Sequence, residues 1–359
     1  MTNAQTEAFI EKILQSTRGT FEMFGMYLGV RLGYYRALGE SGPATSREVA
    51  ERTQTYERYA REWLEQQAIC GILEVDDETL DAKSRRYTLP ESYQEVLVDE
   101  ESLNYMGALP IILAGALRPL AAVLEAYRTG GGVPYGDYGS DLLDGQAGMN
   151  RAMFLKEMGS SWLPNIPEVH HRLLADPPAR VADVGAGAGW SSIAIAKSYP
   201  KAQIDGFDLD RPSVELAKQN ARRAGISDRV KFHVRNAADP QLAGRYDLVV
   251  AFECIHDMAD PVSALRAMKQ LTGPAGTVLV VDERVGESFS TSKNDIDWMM
   301  YGWSILHCLP VGMADKPSAE TGTVMRPDRL RAYAQEAGFA RVEILPIENY
   351  FFRFYRLIQ

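Results

Sequence analysis

Three glycines at alternate positions follow an apolar run in the sequence VADVGAGAGW. They are Gly185, Gly187 and Gly189, and the apolar run before them predicts a β-strand. An apolar helical pattern begins just after the glycines, so they mark a tight turn from strand to helix. In an open α/β sheet, such a turn lies where the ligand binds.

The spacing of the glycines predicts which ligand. A dinucleotide turn has the spacing G-x-G-x-x-G, whereas Trp190 stands where its last glycine would be. A second apolar run ends at Asp208, whose carboxylate can accept hydrogen bonds from both hydroxyls of a ribose. The pattern therefore predicts a nucleoside site without a diphosphate, which suits S-adenosylmethionine (SAM). Asp183 adds an acceptor near the ammonium group of SAM.

Composition limits the class of protein. The chain has 359 residues and a net charge of −10, so it can hold two domains and lacks the charge of a broad nucleic-acid-binding surface. The three cysteines, Cys70, Cys254 and Cys308, form no C-x-x-C pair, which fits a reducing compartment without a metal site.

The sequence also shows no pattern of a targeting or membrane-spanning segment. The first residues lack the basic-then-apolar order of a signal peptide, and the uncharged run 102–117 is too short and mixed to span a membrane. We expect a cytoplasmic protein with no membrane or nucleic-acid partner.

Residues 1–100 carry a pattern of helices followed by a short two-stranded ribbon, which is typical of a winged helix. Thr45 and Glu48 predict a capping box at the start of one helix. The candidate recognition helix, 56–70, carries glutamates beside Arg58 and Arg61. Because this mixed face does not suit DNA, we expect the domain to mediate dimerisation.

Residues 101–177 are expected to form a helical connector that contributes to the substrate pocket. Within it, the glycine-rich segment 129–139 is a candidate lid or hinge. Residues 178–359 alternate strand and helix patterns, which predicts a parallel, doubly wound sheet. The last two strand patterns are separated only by Glu348 and Asn349, so they must pair as an antiparallel hairpin.

With DVGAGAG, GFDLD and the terminal hairpin, the chain resembles the class I SAM-dependent methyltransferases. Over its whole length it resembles the two-domain small-molecule O-methyltransferases of the caffeic-acid type. The matching phrases are GPATSREVAERT, ERYAREWLEQQAICGILE, FDL at 207–209 and IHDMADP at 255–261. The resemblance implies a Rossmann-like seven-stranded sheet, an N-terminal winged-helix dimerisation domain, a homodimer, and SAM as cofactor with S-adenosylhomocysteine as product.

The resemblance also implies roles for individual residues. Asn236 stands where many members have an aspartate near the adenine amino group, and an asparagine oxygen can still accept there. The residues expected at the cofactor are Asp183, Gly185, Gly187, Gly189, Asp208, Leu209, Asn236 and Ala237.

The family pattern makes His256 the general base, and Asp282 at the end of the next strand would orient it. A histidine suits this task because its pKa lies near neutrality. Asp257 is expected only to hydrogen-bond within its loop. The plant enzymes bring a second acid to the histidine, but Val324 stands at that position. The acid pair around the base is therefore expected to be incomplete.

Residues 295–309 are unusually rich in aromatic and thioether side chains, which suits a flat, largely apolar acceptor. His307, in this segment, is an alternative base. The residues expected at the acceptor are Met153, Trp298, Met299, Tyr301 and His307.

We therefore predict a methyltransferase that transfers the methyl group of SAM to a hydroxyl of a small aromatic metabolite. One alternative is N- or C-methylation, or a role in which SAM is bound without methyl transfer, and the missing acid motivates it. A second is a ligand-sensing DNA-binding regulator. A nicotinamide oxidoreductase is the weakest, because the dinucleotide glycine pattern is missing.

Overall fold

The structure, a computed structural model, describes residues 3–236, 246–292 and 294–359. The chain divides into two compact units. The winged-helix unit comprises residues 1–115 and 144–152, and the sheet unit comprises residues 116–143 and 153–359. The predicted boundaries at residues 100 and 177 stay a prediction.

The winged-helix unit is built from one long helix, several shorter helices and one two-stranded ribbon. Its elements are α1 (Ala4–Arg31), α2 (Tyr34–Ser41), α3 (Ser46–Thr53), α4 (Glu57–Ile69), β1 (Glu74–Val75), β2 (Tyr87–Thr88), α5 (Glu91–Leu97) and most of α6 (Ala108–Leu117). β1 and β2 pair antiparallel. The capping box predicted at α3 is confirmed, because Thr45 and Glu48 each accept a hydrogen bond from the backbone N–H of the other.

Trp63 organises the core of this unit. Its ring packs against Tyr34 and Tyr35, and its indole N–H donates to the carbonyl oxygen of Gly25 at 2.7 Å. A Cβ at Gly29 would lie 2.4 Å from the Trp63 ring, so the glycine allows α1 to approach α4 closely. The first half of α1 instead leaves a stripe of apolar side chains exposed. They are Phe9, Ile10, Ile13, Leu14 and Phe21.

The sheet unit holds one seven-stranded sheet in the order β5-β4-β3-β6-β7-β9-β8. The strands are β3 (Arg180–Val184), β4 (Gln203–Asp208), β5 (Val230–Val234), β6 (Tyr246–Phe252), β7 (Thr272–Glu283), β8 (Arg341–Ile344) and β9 (Phe352–Ile358). The helices are α7 (Leu120–Thr129), both ends of α8 (Gly139–Glu157), α9 (Pro167–Leu174), α10 (Trp190–Ser198), α11 (Arg211–Arg223), α12 (Pro261–Leu271), α13 (Asp295–Trp303), α14 (Leu309–Gly312) and α15 (Pro327–Glu336). The middle of α8, residues 144–152, belongs to the winged-helix unit. β9 runs antiparallel to β7 and β8, and the remaining pairs are parallel.

Burial on both faces explains the continuous apolar strands. Along β6, Leu248 and Val250 enter one core and Val249 and Ala251 enter the other. Such two-sided burial is typical of parallel sheets covered by helices. The predicted fold class, a mostly parallel Rossmann-like sheet with an antiparallel C-terminal hairpin behind a winged-helix domain, is confirmed.

The strand order determines where a ligand can bind. β3 lies between β4 and β6. The strands that directly follow β3 in the sequence, β4 and β5, extend the sheet to one side, and the later strands extend it to the other side. A crevice opens outside the carboxyl ends of strands at such a switch point. The glycine turn follows β3, Asp208 ends β4, His256 follows β6, and Asp282 lies at the end of β7. The topology thus brings these four features to one edge.

Among the residues described, no single helix is long and apolar enough to cross a membrane. The pair α6 and α7 meets the length and composition criteria only when the two are taken together, which is weak evidence for a span.

Candidate active site

The glycine turn is held against the neighbouring strand. The amides of Gly185 and Ala186 both donate to the carbonyl oxygen of Phe207, at 2.8 and 3.1 Å. Gly189 has a φ of +82°, and a Cβ there would lie 2.5 Å from the ring of Phe232. A side chain at this position would meet both backbone strain and a clash, so the turn requires glycine.

The Asp208 carboxylate is tied to this turn. One oxygen accepts from the amide of Gly187 at 2.8 Å, and the other accepts from the amide of Asp210 at 2.9 Å. Burial raises the pKa of Asp208, while these backbone donors oppose the rise. A carboxylate oxygen can accept more than one hydrogen bond, so Asp208 can still receive donors from a ligand.

The other predicted cofactor residues lie in different surroundings. Leu209 and Asn236 are exposed, and Ala237 lies outside the described residues. Asp183 is only 1% exposed, and one of its oxygens accepts from the hydroxyls of Ser191 and Ser192, each at 2.6 Å. Burial raises the pKa of Asp183 to about 6. Its second oxygen has no hydrogen-bond partner within the described part of the chain.

His256 is enclosed by carboxylates. Its side chain follows β6 on a 3₁₀ turn and is 2% exposed. Nδ1 lies 2.8 Å from Oδ1 of Asp282 and 3.4 Å from Oε2 of Glu283. Nε2 lies 3.2 Å from Oδ1 of Asp257. Both ring nitrogens therefore face acids.

This arrangement changes the pKa values of the whole cluster. Burial opposes the charged imidazole, but Asp282, Glu283 and Asp257 outweigh it and raise the pKa of His256 well above its ordinary value. Burial acts against ionised Asp257 too, yet the charge of His256 holds the pKa of that carboxyl below its ordinary value. Burial raises the pKa of Glu283 well above its ordinary value, and neighbouring Asp282 adds to the rise. The folded cluster thus retains protons that an unfolded chain would release.

The acids around His256 do not come from the position at which plant relatives carry one. Val324 packs against an apolar cluster of Val285, Ile296 and Met300. Asp257 and Glu283 supply the further carboxylates instead, so His256 has more acidic neighbours than the sequence pattern indicated. The adjacent acids Asp282 and Glu283, at the end of one strand, are the feature of the sequence that indicates a second carboxylate near His256.

Two groups of side chains in this cluster have the spacing of possible metal ligands. His256, Asp257 and Cys308 bring possible ligand atoms within 4.8 Å of one another, as do His256, Asp282 and Glu283. Nδ1 of His256 is already hydrogen-bonded to Asp282 at 2.8 Å, which accounts for this contact without a metal ion.

The residues predicted at the acceptor are dispersed. Met153 is half-buried and packs against the core below the sheet. Trp298 is 80% exposed on α13, and Met299 and Tyr301 are also exposed. His307 alone is fully buried. The role of all five at the acceptor stays a prediction.

Two tyrosines that the sequence analysis did not single out surround His307. Both belong to segment 129–139, the candidate lid. The ring centroids of Tyr135 and Tyr138 lie 5.8 and 4.6 Å from that of His307. The segment is fastened to the same region, since Val133 donates its amide hydrogen to the carbonyl oxygen of Pro310 at 2.9 Å. Its glycine-rich composition indicated mobility but not this packing.

Residues 175–322 match the family model of a methyltransferase domain, and residues 23–98 match that of an Rv2258c-like winged HTH domain. The chain therefore carries a winged HTH domain followed by a methyltransferase domain, which confirms the predicted resemblance.

Individual relatives agree with these domains. An ajmaline N-methyltransferase from Rauvolfia serpentina is 30% identical over 120 residues, which cover 33% of this chain and 40% of that protein. A ubiquinone biosynthesis O-methyltransferase from Ralstonia nicotianae is 27% identical over 173 residues, 47% of this chain and 66% of that protein. The chain thus spans about two fifths and just under two thirds of the lengths of these curated relatives.

The fold extends over a complete solved structure. Human N-acetylserotonin methyltransferase in complex with SAM aligns with a TM-score of 0.70 and 18% identity. The alignment covers 100% of this chain and 99% of that one. At this identity the likeness shows a shared fold.

The protons retained by the His256 cluster predict a pH-dependent stability. His256 and Glu283 both have raised pKa values in the folded state, so their stabilisation is complete below their ordinary pKa values and is lost as the pH rises. The unfolding free energy should therefore fall as the pH rises from about 5 to 8. The substitution Asp282→Asn removes a negative charge that favours the protonated forms of His256 and Glu283. The unfolding free energy should then fall less steeply with pH, by up to about 1.4 kcal/mol per pH unit.

Urea unfolding at a series of pH values measures this dependence. Asp328→Asn, which neutralises an exposed carboxylate, serves as the control and should keep the wild-type slope. The same slope in wild type and Asp282→Asn would contradict the interpretation of the cluster.

Proposed function

We propose that this chain is a SAM-dependent methyltransferase that acts on a hydroxyl of a small acceptor. The observation that carries the proposal is the hydrogen bond between Asp208 and the glycine turn, which places a half-buried carboxylate at the switch point of a methyltransferase-type sheet. The names of the relatives add support for methyl transfer, although they include both O- and N-methyltransferases.

The residues at the crevice fit SAM. Asp208 would accept hydrogen bonds from the ribose hydroxyls, and the unpartnered oxygen of buried Asp183 would accept from the ammonium group. Gly185, Gly187 and Gly189 would allow the backbone to approach the methionine part closely. When bound, SAM supplies a methyl group on a positively charged sulfur.

Positioning would provide much of the catalysis. Holding the acceptor oxygen in line with the methyl carbon, about 3 to 3.5 Å away, can supply roughly 7 to 11 kcal/mol. A hydroxyl must also lose its proton, which calls for a base near the crevice. The sequence predicts His256 for this task. The sheet unit holds two buried histidines, His256 and His307. Because a histidine can accept the proton of a hydroxyl, they favour a hydroxyl over a carbon or nitrogen as the acceptor.

The winged-helix unit supports an enzyme more than a DNA-binding regulator. On α4, Arg58 forms an ion pair with Glu62, and Arg61 forms one with Glu57. These arginines are neutralised by their own helix, so the face lacks the positive charge that phosphates require.

The exposed stripe on α1 supports the expected homodimer. Phe9, Ile10, Ile13 and Leu14 are adjacent on one face of this helix, and each is about half exposed or more. Contiguous apolar surface of this kind is typical of protein interfaces. A second copy of the chain would cover it.

Binding of S-adenosylhomocysteine tests the proposed cofactor site. A ligand at 100 times its dissociation constant stabilises the folded state by about 2.7 kcal/mol, which raises the melting temperature. Asp208→Asn weakens hydrogen bonds to a charged acceptor, worth about 1.5 to 3 kcal/mol, so the dissociation constant should rise roughly 10- to 150-fold.

Thermal unfolding and calorimetry measure both effects. Asp205→Asn makes the same substitution three residues earlier on β4, where Asp205 contacts Arg180 and His233, and should leave affinity unchanged. Stabilisation by NADH but not by S-adenosylhomocysteine would refute the proposal.

The oligomeric state tests the second part of the proposal. Ile13→Glu places a charge in the apolar stripe of α1, so it should convert a dimer into a monomer in sedimentation velocity. Lys12→Glu introduces the same residue one position earlier, outside the stripe, and should remain dimeric. A monomeric wild type would contradict the expectation of a homodimer.

A further inference from the structure

The winged-helix unit contains a cavity of about 460 Å³. Residues of α1, α2, α5, α6 and α8 line it, and all of them belong to this unit. None of the residues expected at the methyl donor or the acceptor is among them. Because small-molecule sites have volumes of roughly 300 to 1,000 Å³, the cavity is large enough for a ligand.

Much of the wall of the cavity is apolar. Leu97 and Ile111 are buried side chains of the lining, and Val98 also lines it. Gly33, at the turn from α1 to α2, has a φ of +73°, which favours glycine, and a Cβ there would meet no atom within 4 Å. The cavity therefore has open space at this turn and can accommodate the apolar body of a ligand.

Three arginines and two acids line the same cavity. Arg31 pairs with Asp144 at 3.0 Å, and Glu100 pairs with both Arg36 and Arg151, at 2.9 and 3.1 Å. The lining thus carries one more positive than negative charge. Electrostatic complementarity favours a ligand with a single negative charge in such surroundings.

One further acid contacts this group from outside the lining. Glu101 lies 3.1 Å from Arg151, but its side chain is 74% exposed. Water screens an ion pair at such an exposed position, so Glu101 neutralises little of the charge inside the cavity. The excess positive charge of the lining therefore remains.

Tyr105 supplies an unused hydrogen-bond donor. Its side chain is 9% exposed and lines the cavity, yet its hydroxyl has no hydrogen-bond partner in the part of the chain that the structure describes. The hydroxyl of Tyr35, which lines the cavity too, instead donates to Gln67. Burial raises the pKa of Tyr105 to about 12, so the group stays a phenol that can donate. A ligand with an acceptor atom would satisfy this hydroxyl.

We propose that this cavity is a second ligand site, which binds a small organic carboxylate with an apolar body. The apolar body lies against Leu97, Val98 and Ile111. The carboxylate accepts hydrogen bonds from the hydroxyl of Tyr105 and the guanidinium of Arg36. The proposal goes beyond methyl transfer and does not depend on it, since no residue of the cofactor crevice takes part.

Calorimetric titration of the full chain with 2-naphthoate tests the site. The matched probe is 2-naphthamide, which has the same rings and no charge. We expect one 2-naphthoate to bind per chain. We expect 2-naphthamide to bind about tenfold more weakly, because hydrogen bonds to a charged acceptor are stronger than those to a neutral one. Equal affinities, or no saturable binding of 2-naphthoate, would overturn the proposal.

Two substitutions locate the bound probe. Tyr105→Phe removes the hydroxyl and keeps the ring, and Arg36→Gln removes a charge from a side chain that is 58% exposed, so both variants should fold. Each should raise the dissociation constant of 2-naphthoate at least about tenfold, because each removes a hydrogen bond to a charged group. The controls Tyr93→Phe and Arg47→Gln make the same changes in this unit outside the cavity and should leave the constant unchanged.

The variants also separate this proposal from the proposed function. Binding of 2-naphthoate that either Tyr105→Phe or Arg36→Gln leaves unchanged would place the probe elsewhere and overturn the second site. A chain that binds 2-naphthoate as expected but does not bind S-adenosylhomocysteine would refute only the proposed function. The reverse result would refute only the second site.

Discussion

Buried negative charge at the carboxyl ends of the parallel strands is the constraint on which the site depends. Asp183 and Asp208 lie in β3 and β4, which meet at the switch point, and Asp282 lies in β7, two strands from β3. Because an isolated buried carboxylate is costly, each requires donors or a counter-charge. Asp208 receives backbone amides, Asp183 receives serine hydroxyls, and Asp282 faces an imidazole. The glycine turn and the 3₁₀ turn after β6 place these partners within reach.

Two buried histidines, His256 and His307, show how the surroundings of a side chain change its pKa. Both are buried, but His256 is enclosed by three carboxylates and His307 by two tyrosines and a thiol. Burial alone disfavours a charged imidazole, and only nearby carboxylates can reverse this effect. The same side-chain type therefore has a raised pKa in one place and a lowered pKa in the other. Asp257 lies between them and is affected by both.

Much of the fold followed from local patterns. The glycine turn and the strand that ends at Asp208 are encoded within short segments, and the structure shows them at the predicted places. The C-terminal hairpin is antiparallel as predicted, but residues 345–351 separate its strands instead of only Glu348 and Asn349. The capping box at Thr45 is equally local. These features could be predicted because they depend on neighbours in the sequence.

The electrostatics of the site could not be predicted in this way. The raised pKa of His256 depends partly on Glu283 and Asp257, which the ends of β6 and β7 bring to its ring. The packing of Tyr138 against His307 joins residues 169 positions apart in the sequence. Such contacts arise from tertiary packing, and the π-helical turn at Ser304–Cys308, which buries His307, has no signal in the apolar periodicity of α13.

A crystal structure of the chain with S-adenosylhomocysteine would test the central claim most directly, namely that the crevice at the switch point holds the methyl donor. The account predicts ribose hydroxyls on the carboxylate of Asp208 and the homocysteine part along the glycine turn. The sulfur should face the region between His256 and His307. Ligand density elsewhere, with Asp208 contacting only the backbone, would contradict the account.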